Sequence, residues 1–116
     1  MLKKQYVIFA IVFLVSKLTL SQRDTIFINT DWQFAIDKKS EGQNDKWYEN
    51  TLSNSKTVSI PHTWNIEDDN QNHYGWGWYQ KKINIPAGWK NKNIALQFGA
   101  INHTSHIYIN GKKVAE

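Results

Sequence analysis

A chain of 116 residues has room for one small domain, and with no cysteine it has nothing to carry a disulfide or a lipid anchor. The formal charge of +4, from 14 basic and 10 acidic residues, overstates any attraction for polyanions. Lys3, Lys4 and Lys17 fall in an expected leader, and removing them leaves 11 basic residues against 10 acidic, a net +1 that excludes nucleic acid as a partner class.

The leader comes first in chain order. Lys3 and Lys4 precede ten unbroken apolar residues, 6–15, followed by Thr19-Leu20-Ser21-Gln22. A positive start, a short apolar run and a small-residue exit are the marks of a secretory signal. Residues 1–21 are therefore expected to direct export, with cleavage after Ser21 and a secreted or periplasmic product. Ten apolar residues fall short of the ~20 that a bilayer span requires, so no stable membrane span is expected. An uncleaved signal acting as an anchor is the alternative.

From residue 22 onward the apolar residues recur with period two, the signature of strands with one covered face. Ile26 and Ile28 alternate, then Trp32, Phe34 and Ile36. A polar stretch follows in which Asn44 is positioned to cap one short helical turn through residue 49. Val58 and Ile60 make a short strand, and Tyr79, Ile83 and Ile85 share one face of a longer one. Ile94, Leu96 and Phe98 alternate against Ala95 and Gln97, and Ile107 and Ile109 flank Tyr108. Asn110-Gly111 then supplies the two residues that best tolerate the positive φ of a two-residue hairpin turn. The strand after it stops at Glu116, which leads to the expectation of a sandwich that is C-terminally incomplete. The fold class is all-β.

Between Pro61 and Gly75 lie fifteen residues with little periodicity, long for a connection in a compact domain. They include His62, Trp64, Asn65, Glu67, Asp68, Asp69, Asn70, His73 and Tyr74. This is the composition of a polar rim with aromatic anchors.

Five pieces in order carry a family likeness: Trp32-Gln33-Phe34 with Asp37, Ile60-Pro61-His62-Thr63-Trp64-Asn65, Gly75-Trp76-Gly77-Trp78-Tyr79, Ile85-Pro86 with Trp89, and Ile109-Asn110-Gly111-Lys112. Each alone is common in β proteins. Together and in this order they resemble the N-terminal jelly-roll domain of family 2 glycoside hydrolases, which include β-galactosidases and β-glucuronidases. The resemblance implies a galactose-binding-like jelly-roll β-sandwich over residues 22–116. It also implies a parent enzyme that hydrolyses O-glycosyl bonds of a carbohydrate substrate, with catalytic glutamates in a separate TIM barrel and possible homo-oligomer contacts. No cofactor is implied.

Retaining hydrolysis of a glycoside needs two carboxyl groups about 5–5.5 Å apart. Glu67-Asp68-Asp69, the densest acidic group, are neighbours in a loop without the burial that would split their pKa values. No catalytic residue is expected within this chain. The resemblance implies instead that residues 65–73 lend contacts to the parent's sugar site, making Asn65, Asp68, Asp69, Trp64 and Trp76 the candidate substrate-side residues. The bland alternative is a solvated loop. Most of the six tryptophans are expected in the core, Trp32 and Trp89 above all, with Trp64 and Trp76 open to either use. His62, His73, His103 and His106 lack a cysteine or a suitably spaced carboxylate, so no metal site is expected, and His62 is expected to bond backbone in its turn. Asn102-His103-Thr104 matches a glycosylation pattern and is read as chance. Two rivals stand beside the enzyme-domain reading: a free-standing carbohydrate-binding module, and a structural domain without a ligand.

Overall fold

A computed structural model describes residues 23–116; the expected signal segment lies outside them. Every strand pairing is antiparallel, and no helix among the described residues is long and apolar enough to cross a membrane. Strand β1 (Trp32–Asp37) is central, flanked by β2 (Lys56–Val58) and β3 (Trp76–Gln80). A second sheet is the hairpin of β4 (Ile107–Ile109) and β5 (Lys112–Ala115). The all-β class follows directly from the period-two pattern.

Strand β1 is covered on both faces, not one. Pairing Phe34 with Tyr79 and Ile36 with Gly77 puts those four on one face. Pairing Ala35 with Trp78 and Asp37 with Trp76 puts these on the other. Phe34, Ala35 and Asp37 are 1%, 7% and 2% exposed, and with Gly42 and Leu52 they are the buried residues among those described. A central strand has no open edge, and here a loop lies over each of its faces.

The layer on the Asp37 face is the segment 41–52. The Asp37 carboxylate accepts the backbone N–H of Glu41 at 2.9 Å, that of Gly42 at 2.8 Å, and the Trp78 indole N–H at 3.2 Å. Burial by itself raises the Asp37 pKa, but bonds from Gly42, Glu41, Trp78 and Lys39 outweigh it and hold the group below its usual value. The helical turn expected at residues 44–49 does not form. Lys46 takes a left-handed φ of 54°, which interrupts a right-handed turn, and the segment becomes a run of tight turns tied to Asp37. Tyr48 stacks on Tyr108 at 4.3 Å and 7°, and both rings lie against Trp78, so aromatic side chains bridge the two sheets.

The Asn110–Gly111 turn takes the expected shape, with φ of 50° and 76° between Ile109 and its partner Lys112. Elsewhere the period-two pattern overreaches. Residues 26–28 form no strand, although the Ile60 N–H reaches the Asn29 carbonyl at 2.7 Å. Strand β3 ends at Gln80 instead of running to Ile85, and β2 stops at Val58. Residues 94–98 pair with nothing among the described residues, leaving Ile94, Leu96 and Phe98 at 50%, 41% and 38% exposure. An alternating segment becomes a strand only when a second backbone lies beside it to bond.

Candidate functional site

On the Phe34 face lies the loop 61–75. Its first anchor is Trp64, in a 3₁₀ turn spanning Trp64–Ile66. The indole ring stacks on Phe34 at 5.9 Å and 16°, and its N–H points at the His73 carbonyl at 3.4 Å. Gly77 of β3 makes this approach possible, since a Cβ there would sit 2.8 Å from the Trp64 ring and 3.0 Å from Phe34. Trp64 thereby spends one face on the core and is left half-buried.

The second anchor is a side-chain network around Glu67. Lys56 of β2 pairs with its Oε1, His62 Nε2 lies 3.0 Å from the same oxygen, and Asn70 donates to Oε2 at 2.8 Å. His62 Nδ1 lies 2.7 Å from the Tyr79 hydroxyl. A carboxylate only accepts, so Nε2 is assigned as the donor to Glu67, and in the neutral imidazole Nδ1 accepts from Tyr79. The Lys56 bond, helped by Asn70 and His62 and opposed by burial, brings the Glu67 carboxyl down to about 2. Burial, with the Glu67 charge second, pushes Tyr79 up to about 12. His62 therefore bonds two side chains across the loop, not the backbone of its own turn: the Phe34 ring 4.7 Å away and Tyr79 beyond it draw the imidazole inward.

The five candidate residues do not form one group. Trp64, Asn65, Asp68 and Asp69 belong to the loop on the Phe34 face. Trp76 points to the opposite face, beside the His106 ring at 4.9 Å. Asn65 and Asp68 are exposed and make long contacts with Gln71, at 3.5 Å to its carbonyl and 3.3 Å to its side-chain amide. Asp69 is exposed at the edge of a shallow depression that Lys56, Asn70 and Asn54 also line. Tyr74 and Ile66 stand out at 93% and 78% exposure. What sequence reasoning missed is Glu67: within Glu67-Asp68-Asp69 it alone ties the loop to the sheet, and no local spacing marks it. Asp37 was more readable, since an acidic residue ending a strand before Lys-Lys-Ser-Glu-Gly suits a turn that accepts backbone N–H groups.

Chemically, the two most engaged carboxylates are committed to holding structure. Asp37 accepts from backbone and indole, and Glu67 from Lys56, His62 and Asn70, on opposite faces of the sheet. Among the described residues no three His, Cys, Asp or Glu side chains converge on a point where a metal could sit. What the loop offers is a braced backbone with polar and aromatic groups turned outward.

Known proteins give this geometry a family. The chain is 29% identical over 100 residues to a β-glucuronidase of Bacteroides fragilis, covering 83% of this chain and 13% of that protein. It is 28% identical over 106 residues to a β-glucuronidase of Formosa agariphila, covering 81% and 10%. To one of Paenibacillus borealis it is 28% identical over 87 residues, covering 72% and 15%. The chain thus spans a small fraction of these relatives' length. No solved structure matches it. The model of glycosyl hydrolases family 2, sugar binding domain, matches residues 26–116, taking in both sheets and both covering loops. With strands, covering loops and hairpin all inside that match, the chain belongs to family 2 of the glycosyl hydrolases, as its N-terminal sugar-binding domain.

Proposed function

We propose that this chain is the N-terminal domain of an exported family 2 enzyme of the β-glucuronidase type, bracing a catalytic barrel and lending loop 61–75 to the sugar site. The supporting observation is that named β-glucuronidases align with 72–83% of this chain while it fills only 10–15% of their length. Their reaction, hydrolysis of an O-glycosyl bond, needs a pair of carboxyl groups that the assigned roles of Asp37 and Glu67 do not leave free. The barrel carries that pair in this reading. A loop anchored at Trp64 and Glu67 with exposed polar side chains is what a domain contributing at the margin of another domain's site requires. Glucuronidase is preferred over galactosidase because the named relatives are glucuronidases.

Reading the coding sequence downstream of the Glu116 codon tests the proposal. A continuation of several hundred residues with a barrel pattern is expected, and a stop codon would overturn the enzyme reading in favour of a free-standing carbohydrate module. The purified chain should not turn over nitrophenyl β-glucuronide. Turnover that vanished in an Asp68→Ala, Asp69→Ala double variant would place catalysis here after all. Export is checked by fusing residues 1–30 to a reporter active only outside the cytoplasm, where a silent reporter would remove that part of the proposal.

A further inference from the structure

We propose that Glu67 is a positioning residue, a latch through which loop 61–75 is held in one shape against the sheet, and that Lys56 on β2 is its keeper. The inference rests on the reading of that loop as a substrate-side element, and it adds which residue makes the loop usable.

Loop segments without regular structure lose conformational entropy when fixed, on the order of 1–2 kcal/mol per residue, and something must hold them. Within residues 65–72 the backbone bonds are short-range: Glu67 N–H to the Trp64 carbonyl, and Asn70 N–H to the Glu67 carbonyl. These shape local turns without attaching the segment to anything else. Besides His62 at the loop base, which bonds Tyr79 and packs on Phe34, two attachments reach the sheet. One is Trp64, packed on Phe34 at the loop's entry. The other is Glu67, whose single carboxylate gathers Lys56 from β2, His62 from the loop base and Asn70 from the loop's far half. Through His62 it also reaches Tyr79 on β3. One residue therefore joins two strands to both halves of the loop.

The neighbours show the contrast. Asp68 meets only the Gln71 side chain at 3.3 Å, and Asp69 stays exposed. Three adjacent acids thus divide the work: Glu67, with its side chain only 22% exposed, faces inward and binds, while the two aspartates face outward. The extra methylene of glutamate supplies reach, and the charge pairs with Lys56 instead of adding to a solvated acidic rim.

The test is amide hydrogen exchange on the full chain, comparing amides of residues 65–72 with those of β1 and β3. Glu67→Gln and Lys56→Met should each speed exchange in the loop by about tenfold while β1 and β3 stay within about twofold. The double variant should be no faster than either single one, since both changes open the same contact. Lys56→Arg, which keeps the cation, should retain slow exchange. Loop exchange unchanged in Glu67→Gln, or a parallel rise in β1 and β3, would overturn the latch, the second because it would mark a merely global loss of stability. In the longer enzyme, Glu67→Gln should raise KM for a glucuronide with kcat and Tm kept. A loosened loop with an unchanged KM would uphold the latch and sink only the substrate-side reading of the loop.

Discussion

Up to Gln80 the chain is tied at every level: β1 bonds a strand on each side, and indole and carboxylate side chains bond partners as far as 41 positions away. From residue 81 to residue 105 it is tied hardly at all. There the long-range side-chain ties among the described residues are two lysines, Lys81 on the Thr30 carbonyl at 2.7 Å and Lys92 on Asp24 at 3.3 Å. Phe34 in the first region is 1% exposed, whereas Ile85, Ile94 and Ile101 in the second stand at 49%, 50% and 44%. The second region is not short of apolar residues. The difference is pairing: β1 has backbone neighbours that fix its faces and let loops settle on them, and 94–98 has none among the described residues. Burial follows the ladder, not the alternation alone.

The most damaging way to break this contrast is to remove its centre. Phe34→Ala takes away the side chain on which His62, Trp64 and Tyr79 all rest, and it should cost about 3–5 kcal/mol. Urea unfolding followed by tryptophan fluorescence would read this, and a loss below about 1 kcal/mol would mean the loop does not depend on that ring.

Trp64→Ala removes one anchor but leaves the sheet. Because the indole is only half-buried, about 2–3 kcal/mol is expected, less than for Phe34, with the Tm falling and the hairpin of β4 and β5 unaffected. A change as large as that of Phe34→Ala would show the loop and the sheet to be one inseparable unit.

Acid should loosen the well-tied region selectively. The folded Glu67 pKa of about 2 lies below the ordinary 4.5, so its contribution is fully present above pH 4.5 and is lost as pH falls toward 2. With Lys56 half-exposed and solvent screening the pair, about 1–2 kcal/mol of loop closure is involved, read as faster amide exchange in residues 65–72 with β1 and β3 little changed. Asp37, also shifted downward, acts in the same direction, so the pH profile of Glu67→Gln subtracted from that of the parent isolates the Glu67 part. Superimposable acid limbs would contradict the assignment.

The smallest effect sharpens the other side of the comparison. Phe98→Ser lies in the unpaired segment and should change stability by less than about 0.5 kcal/mol in this chain. A shift above about 1 kcal/mol in the same urea experiment would reveal a partner for residues 94–98.

Much of the fold was legible because it is local. Period two in Trp32-Gln33-Phe34-Ala35-Ile36 depends only on which side of a pleat each residue faces, and the Asn110–Gly111 turn depends on the φ that two residues tolerate. The site was legible only as a place. Length and polarity marked residues 61–75, but Trp76, grouped with them by nearness in sequence, is carried to the opposite face by the pleat of β3. Nothing in Glu67-Asp68-Asp69 says which acid turns inward, since Lys56 lies eleven positions earlier, on β2.

The sequence by itself determined the β class, the hairpin, the inward Phe34 and the family likeness, all properties of short segments or of their order. The tertiary structure alone decided that β1 would be covered on both faces, that His62 would bond Tyr79 and Glu67, and that 94–98 would find no pairing strand among the described residues. Those outcomes depend on groups meeting through space, and meeting is fixed by sheet register and by the loops laid on its faces, which no local spacing encodes.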